Sequence, residues 1–414
     1  MQRIILHADL NNFYASVSCL EHPEYDGHPV AVGGDEEQRH GVVLAKNELA
    51  KSFGVRTGEA LWEARQKCPE LVVLPPHHML YKKFSCDFRS LLMNYTDMVE
   101  PFGLDECWLD ITHSPSVQGI GNNIADEIRH RCREKLEITC SIGLSYNKIF
   151  AKLGSDIKKP DATTVISQYN YRSVAWPLPV GNLLFVGPAT EKKLRRDLNI
   201  HTIGQLAQEN QSLLQRHFGK AGFLLWQSAN GLDDAPVSFA EEKADMKSIS
   251  NSVTTPRDLE NDQDVRTVFA VLADSVSARL REQGVKAATI QIALRDITLA
   301  WLQRQAPLES PSFLTLELYQ KAMQLFKACY DWNRHLPLRS LALRACNLTP
   351  IDSVEEQLSL FQDERRQRQE KLAWTVDKIR NRFGDRSIVF GVTQTDPDFQ
   401  NINPRADTSL NTLV

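Results

Sequence analysis

PFGLDECWLDIT, residues 101 to 112, sets two adjacent carboxylates, Asp105 and Glu106, inside an otherwise apolar run. Leu104, Trp108, Leu109 and Ile111 are suited to burial, and the run is short with β-formers at its end, so it reads as a strand of a sheet interior. Carboxylates in such a place need a partner. An unpaired buried charge protonates, pairs with a cation or binds a metal. The stretch holds no Lys or Arg, which leaves a cation from elsewhere in the chain or a divalent ion. Taken alone, a surface turn reads the pair equally well.

A second stretch shifts the balance. IILHADLNNFYASV, from Ile4 to Val17, opens as an apolar strand and carries one acid, Asp9. If the two strands are neighbours, Asp9, Asp105 and Glu106 converge on an oxygen-rich site suited to hard cations such as Mg²⁺. Three carboxylates suffice for two ions roughly 3.5–4 Å apart, which can stabilise both the attacking and the leaving oxygen of a displacement at phosphorus. Adjacent residues on a flat strand face opposite ways, so a turn or bulge is expected at Asp105 and Glu106.

Together the two stretches resemble the signature motifs of the Y-family (translesion) DNA polymerases, and the order of segments over residues 1 to 361 is similar to the bacterial DNA polymerase IV branch. The resemblance implies a multi-domain α/β (α+β) chain shaped as a right hand. A ferredoxin-like palm would span 1–20 and 79–166, small fingers 21–78, a helical thumb 167–235 with a helix-hairpin-helix, a linker 236–246 and a β-α-β-β-α-β little finger 247–350. Residues 351–414 would hold a clamp-binding motif, a helix and a flexible tail. It implies that Asp9, Asp105 and Glu106 are catalytic and, with the Leu10 carbonyl, hold two Mg²⁺. Tyr14 would be the steric gate against a ribose hydroxyl, with Phe13 beside it, and Lys51 and Lys159 would contact the incoming dNTP.

Some positions depart from the family pattern. Asn11 stands where polymerase IV proteins commonly carry a second Asp, at a position not expected to hold metal. In the fingers, the nucleotide-contacting Thr, Tyr and Arg align with Ala45, Glu48 and Lys51, and only the last keeps its charge. Lys51 would act as a point charge and not as a bidentate fork.

Composition sets broad bounds. The 414 residues allow several domains, and 42% hydrophobic with 24% charged content is ordinary for a globular protein. No run of 18 apolar residues appears and the N-terminal apolar segment is too short for a signal peptide, so no membrane partner and a cytoplasmic location are expected. Eight scattered cysteines with no C-x-x-C pair indicate neither zinc nor a disulfide framework. A net charge of −4 runs against bulk attraction to nucleic acid, although residues 247–350 hold 13 Lys and Arg against 10 Asp and Glu, a local +3.

Along the chain, a strand is expected at Pro29–Val32, a helix at Ala45–Ser52, a helix at Tyr81–Tyr95, a helix at Asn123–Leu136, a strand at Ile138–Leu144 and a helix at Asn147–Asp156. Gly33-Gly34-Asp35-Glu36 spells a cyclase-like GGDE but runs from a strand into a polar loop, and His77-His78 follows a Pro pair with no ligand at metal spacing, so both read as loops. Val186-Gly187-Pro188-Ala189 leads into a basic helix whose free N–H groups could face a phosphate, with Lys192, Lys193, Arg195 and Arg196 adding charge. In KAATIQIALRD, Ile290, Ile292 and Leu294 should face helices at Asp264–Gln283 and Pro311–Tyr330, with a further strand near Thr298–Gln303. The open face would then offer Lys247, Ser248, Ser250, Arg295 and Arg344 to phosphate backbones.

Gln357, Leu358, Ser359, Leu360 and Phe361, QLSLF, resemble the peptide by which bacterial polymerases dock on the sliding clamp. The helix beyond it carries Leu372, Val376, Ile379 and Phe383 on one face and must pack on something. From about Thr393 the chain is polar and is expected to be disordered. The resulting expectation is a monomeric, low-fidelity, DNA-templated DNA polymerase that extends a primer on primer-template DNA without proofreading. The alternative is a catalytically impaired DNA- and clamp-binding factor.

Overall fold

A computed structural model describes residues 3–35, 39, 41–114, 121–242, 246–352, 364–394, 396, 398, 399 and 402. They fall into two compact units, one drawn from 1–34 and 42–243 and another from 35–41 and 244–409.

The first unit opens with β1 (Ile5–Leu10), buried along its whole length, and α1 (Phe13–Glu21). β2 (Val30–Gly33), β3 (Val43–Lys46), α2 (Glu48–Ser52), α3 (Leu61–Lys67) and β4 (Val72–Leu74) make a small subdomain whose sheet runs β3-β2-β4. The helix expected from Ala45 starts only at Glu48, because Ala45 pairs with Val32 in the sheet and Asn47 caps the helix by accepting from Ala50 N–H. α4 (His78–Leu92) begins three residues before Tyr81, so His78 is helical and not in a loop, and His77 Nδ1 lies 2.9 Å from Glu21 Oε2.

β5 (Val99–Pro101), β6 (Glu106–Asp110), α5 (Gly121–Leu136), β7 (Cys140–Ser145), α6 (Lys148–Ile157) and β8 (Thr163–Ile166) complete a five-stranded sheet in the order β5-β6-β1-β7-β8. β1 is its central strand, antiparallel to both β6 and β7. α7 (Tyr171–Val174), α8 (Pro188–Leu198), α9 (Ile203–Gln208), α10 (Gln211–Phe218) and α11 (Lys220–Ala229) form a helical cluster whose core also takes in Ile149, Phe150 and Leu153 of α6. The segment expected to be a linker is packed at its start. Val237 is buried with Ile5 and Trp108, and Ser238 N–H and Ala240 N–H donate to Glu100 Oε2 and Asp97 O at 2.9 and 3.0 Å.

The second unit is β9 (Ser248–Leu259), α12 (Asp262–Glu282), β10 (Val285–Asp296), β11 (Trp301–Ser312), α13 (Thr315–Cys329), β12 (Leu338–Pro350) and α14 (Glu364–Phe383). The antiparallel sheet runs β11-β10-β12-β9. The strand expected near Thr298–Gln303 is twice that length and takes Pro311 and Ser312 from the expected helix, since both edges of β10 are paired over most of its 12 residues. Ile290, Ile292 and Leu294 point into a core shared with α12 and α13.

Two expectations for the C-terminal residues change. α14 is held by Arg281 with Asp377, by Arg380 with Asp274 and by Ala373 and Trp374 against the core, and of the expected apolar face Val376 and Ile379 are half-buried while Leu372 and Phe383 are more than 60% exposed. Beyond Thr393, where most of the stretch expected to be disordered lies outside the described residues, Phe399 is buried in the core under the Arg257 guanidinium, which also pairs with Asp396 and Asp398 at 2.6 and 3.1 Å. The polar composition there hid an aromatic anchor flanked by acids matched to one arginine. The QLSLF segment, Gln357 to Phe361, lies outside the described residues.

Candidate active site

Antiparallel pairing sets Asp9 of β1 directly opposite Glu106 of β6. The chain turns before Glu106: Gly103 has φ +88°, Phe102 N–H donates to Glu106 O at 2.8 Å, and Leu10 N–H donates to Asp105 O at 3.0 Å. Arg89 of α4 ties the turn down through Nη2 to Gly103 O at 2.8 Å. This is the irregularity expected of adjacent acids serving one site. A side chain at Gly103 would force that φ into a region L residues avoid.

His7, two residues before Asp9 on the same strand face, joins the cluster. One ligand atom from each of His7, Asp9 and Glu106 lies within 4.8 Å of the other two. His7 Nε2 is 3.2 Å from Glu106 Oε2, and Nδ1 is 2.9 Å from Ser155 Oγ. Burial, reinforced by the Lys152 charge, pushes the His7 pKa down to about 3, so the ring is neutral and has lone-pair capacity. Asp105 is held up at about 6, first by burial and then by the charges of Asp9 and Glu106. That shift is the electrostatic signature of crowded carboxylates lacking enough positive charge.

Part of that charge comes from α6. Lys152 Nζ lies 3.0 Å from Asp9 Oδ2, 2.9 Å from Glu106 Oε2 and 3.3 Å from Asp156 Oδ2. Lys159 Nζ lies 2.7 Å from Asp9 Oδ2 and 2.8 Å from Asp156 Oδ1. Burial works against both ammonium groups, but the surrounding carboxylates outweigh it and raise both pKa values above the ordinary lysine range. Two glycines make this approach possible. A Cβ on Gly143 of β7 would overlap the Ala151 carbonyl and come within 2.5 Å of Ser155 N, and one on Gly154 would come 3.0 Å from the Gly143 Cα. α6 therefore lies against the bare backbone of β7.

Lys152 escaped the sequence reading because Lys148, Lys152 and Ser155 fall at helical spacing, which looks like a solvated stripe. The cation that the buried acids required thus comes from elsewhere in the chain. Glu106 Oε2 remains buried without a well-formed hydrogen bond, and the carboxylates of Asp9 and Glu106, with the Asp105 carboxyl nearby, are the oxygen donors that suit a hard divalent cation.

Asn11 also has a place. Its buried side chain accepts at Oδ1 from Thr139 Oγ1 at 3.0 Å and from Asp161 N–H at 2.9 Å, and donates through Nδ2 to Ser141 Oγ at 2.9 Å. Asp161, at φ +51°, is further held by Arg129 and Arg133. The departure from Asp thus anchors the loop that carries Lys159.

The remaining expected residues divide. Tyr14 stacks on Tyr81 at 4.1 Å, and its phenol pKa is raised by burial and by Asp105, placing it beside the acids. Phe13, expected beside the nucleotide, is buried in the sheet core next to Tyr14. Lys51 faces Glu48 at 3.3 Å, and Glu48 Oε1 in turn accepts from Asn12 Nδ2 at 3.1 Å. Gly187 is the N-cap of α8 with open space around its Cα, followed by Pro188 and Ala189. On that helix Lys193, Arg195 and Arg196 are engaged by His217 O, Glu191 and Asp197, whereas Lys192 is exposed without an ion pair among the described residues. In the second unit Ser250 pairs with Arg344 across β9 and β12, Ser248 lies two residues before it, Lys247 just outside the strand, and Arg295 stacks over Trp301.

Comparison with known proteins accords with this geometry. Residues 8–156 match the impB/mucB/samB family, and residues 246–360 match the impB/mucB/samB family C-terminal domain. The chain is 49% identical to DNA polymerase IV of Acetivibrio thermocellus over 96% of its own length and 98% of the relative's. It is 36% identical to DNA polymerase IV 2 of Bacillus subtilis over 95% of each. A solved Y-family DNA polymerase chimera superposes with a TM-score of 0.74 at 22% identity, covering 84% of this chain and 99% of that one. A strand pair carrying opposed acids, a lysine-bearing helix laid on bare backbone and likeness along nearly the whole chain lead to one conclusion: the protein belongs to the impB/mucB/samB family, as a Y-family DNA polymerase of the DNA polymerase IV branch.

Proposed function

We propose that this polymerase extends a primer 3′-hydroxyl on a DNA template with dNTPs, at low fidelity and without proofreading, through a two-Mg²⁺ site held by Asp9, Asp105, Glu106 and the Leu10 carbonyl. The opposed Asp9 and Glu106 beside the elevated Asp105 carry this reading. When bound, the ions supply charge neutralisation for the attacking and leaving oxygens. The chain's own residues bring the acids to one point, exclude water along β1 and place two ammonium groups within reach of anionic substrate. Lys159, tethered through Asp161 to Asn11, would meet the triphosphate, with Lys51 adding a second positive charge. Tyr14 would pack against the sugar and reject ribonucleotides.

Within this reading the five-stranded sheet is the palm, residues 21–78 are the fingers, α7 to α11 the thumb and β9 to β12 with α12 and α13 the little finger. Gly187, Ala189 and Lys192 would hold a phosphate at a helix N-terminus, and the open sheet face with Lys247, Ser248, Ser250, Arg295 and Arg344 would hold backbone. Gln357, Leu358, Leu360 and Phe361 would dock a monomeric enzyme on the sliding clamp. No helix among the described residues is long and apolar enough to cross a membrane, which fits cytoplasmic action.

Primer extension with Mg²⁺, comparing the parent with Asp105→Ala and Glu106→Ala, tests the site. Equal extension by the variants overturns it. A parent that binds primer-template but incorporates no dNTP would instead fit a non-catalytic DNA- and clamp-binding factor. Excision of a mismatched primer end would refute the absence of proofreading.

A further inference from the structure

The turn that joins β1 to α1 is tied to α2 by a single carboxylate. Asn12 stands in that turn in the left-handed region, at φ +50°, at the N-cap of α1 but without a side-chain bond to the helix. A non-glycine residue is uncommon there, and an Asn at a cap usually turns its oxygen onto the helix N–H groups. Asn12 is engaged elsewhere: its Nδ2 donates to Glu48 Oε1 at 3.1 Å, 36 residues away in sequence. Lys51 Nζ lies 3.3 Å from the same oxygen. Lys46 of β3 completes the cluster. Its Nζ donates to Thr57 Oγ1 at 3.2 Å, and its pKa is lowered by burial and then by the Lys51 charge, while Glu48 raises it.

Two ammonium groups that repel each other thus share one carboxylate. That carboxylate also holds the turn that carries Asp9 three residues before Asn12 and Tyr14 two residues after it. A solvated lysine and glutamate one helical turn apart contribute little by themselves, and such a pair needs no third partner from another element. The placing of the charge matters more. A carboxylate within 3.3 Å of Lys51 opposes any phosphate that approaches the same ammonium.

We propose that Glu48 is a positioning residue that keeps the place of the triphosphate: it neutralises Lys51 until nucleotide arrives, yields Lys51 to the incoming phosphates, and keeps its bond from Asn12 throughout. The charge of Glu48 then sets the affinity for dNTP, and its oxygen sets the turn that carries Tyr14. Glutamine separates the two roles, because its side chain keeps an acceptor oxygen and loses the charge.

The inference rests on the reading of this chain as a polymerase whose Lys51 meets the triphosphate, and one experiment tells the two apart. Single-turnover incorporation on primer-template would give the dNTP Kd and the maximal rate for the parent, Glu48→Gln, Glu48→Ala, Lys51→Gln and the double variant Glu48→Gln/Lys51→Gln, with melting temperatures to check folding. Lys51→Gln should raise the Kd. Glu48→Gln should lower it about fivefold at low salt with the maximal rate unchanged, since one opposing charge is gone and solvent screens part of its effect. The gain should shrink as salt rises to about 0.5 M, which a purely structural change would not do. Glu48→Ala should show the same gain and, with Asn12 deprived of its acceptor, a severalfold loss of discrimination between dNTP and rNTP. In the Lys51→Gln background the effect of Glu48→Gln should vanish.

A Kd that Glu48→Gln leaves unchanged or raises, a gain that persists at high salt, or an equal gain without Lys51 overturns the proposal. Equal sugar discrimination in Glu48→Ala and Glu48→Gln overturns the role of the Asn12 bond. If Lys51→Gln leaves the Kd unchanged, the assignment of Lys51 to the triphosphate fails and takes this inference with it. A parent that binds primer-template but incorporates no dNTP removes the polymerase reading on which both depend.

Discussion

Lys159 Nζ sits 2.7 Å from Asp9 Oδ2, a contact made across 150 residues of sequence. It joins the last turn of one motif to the middle of another, and Asn11 sets its geometry by gripping Asp161 N–H at 2.9 Å. Replacing Asn11 by Leu removes the acceptor and leaves Asp161 N–H and Thr139 Oγ1 without their bond. We expect a roughly tenfold rise in KM for dNTP with little change in primer-template affinity, because the loop and not the DNA surface is loosened, and about 1–3 kcal/mol of lost stability. Steady-state kinetics with anisotropy and thermal melting would check it; an unchanged KM would remove Asn11 from the positioning role.

The crowding of acids has a thermal signature. Asp105 holds its proton up to about pH 6, above its unfolded value, so the folded state binds the proton more tightly. Its contribution to stability is therefore present at low pH and is lost as pH rises from about 4 through 6. Asp105→Asn removes the charge. In EDTA the variant should melt above the parent at pH 7.5, by an amount equivalent to about 2 kcal/mol, and the two should converge near pH 4.5. The same variant should be inactive.

Removing a cation should act in the opposite sense. Lys152→Met leaves Asp9 and Glu106 without their shared ammonium, and breaking a largely buried pair costs about 3 kcal/mol. In EDTA the melting temperature should fall, and added Mg²⁺ should restore more of it than the ion adds to the parent. Equal Mg²⁺ shifts in parent and variant would show that the ion does not meet these carboxylates.

Backbone contact between α6 and β7 gives a sharper contrast. Gly143→Ala forces a methyl into the Ala151 carbonyl and should cost at least about 3 kcal/mol, displacing Lys152 with the helix. Gly187→Ala meets open space at φ −77° and should alter stability by less than about 0.5 kcal/mol. Denaturant titration of the two variants would test whether space alone separates them.

Tyr14 presents its ring stacked on Tyr81 and close enough to Asp105 to feel its charge. Tyr14→Ala should admit ribonucleotides, lowering discrimination between dNTP and rNTP by at least about tenfold, an expectation set by steric exclusion worth at least about 1.4 kcal/mol. Unchanged discrimination in competitive incorporation would take Tyr14 out of the gate.

What could be read in advance followed from local rules. Alternation placed Ile290, Ile292 and Leu294 inward, the adjacency of Asp105 and Glu106 demanded a turn, and motif order named the family. The errors share one cause. Asn147 and Lys152 look alike as polar residues of one helix, yet Asn147 is its cap and Lys152 a largely buried counter-charge, because Gly143 and Gly154 let α6 touch the sheet. Phe399 stands in a stretch that seemed too polar to fold, yet it found a site under Arg257. Sequence periodicity reports which side of an element is apolar, and that suffices for strands, core and family. Which distant charges meet depends on how closely two backbones approach, a property of packed elements in three dimensions that no single stretch of chain encodes.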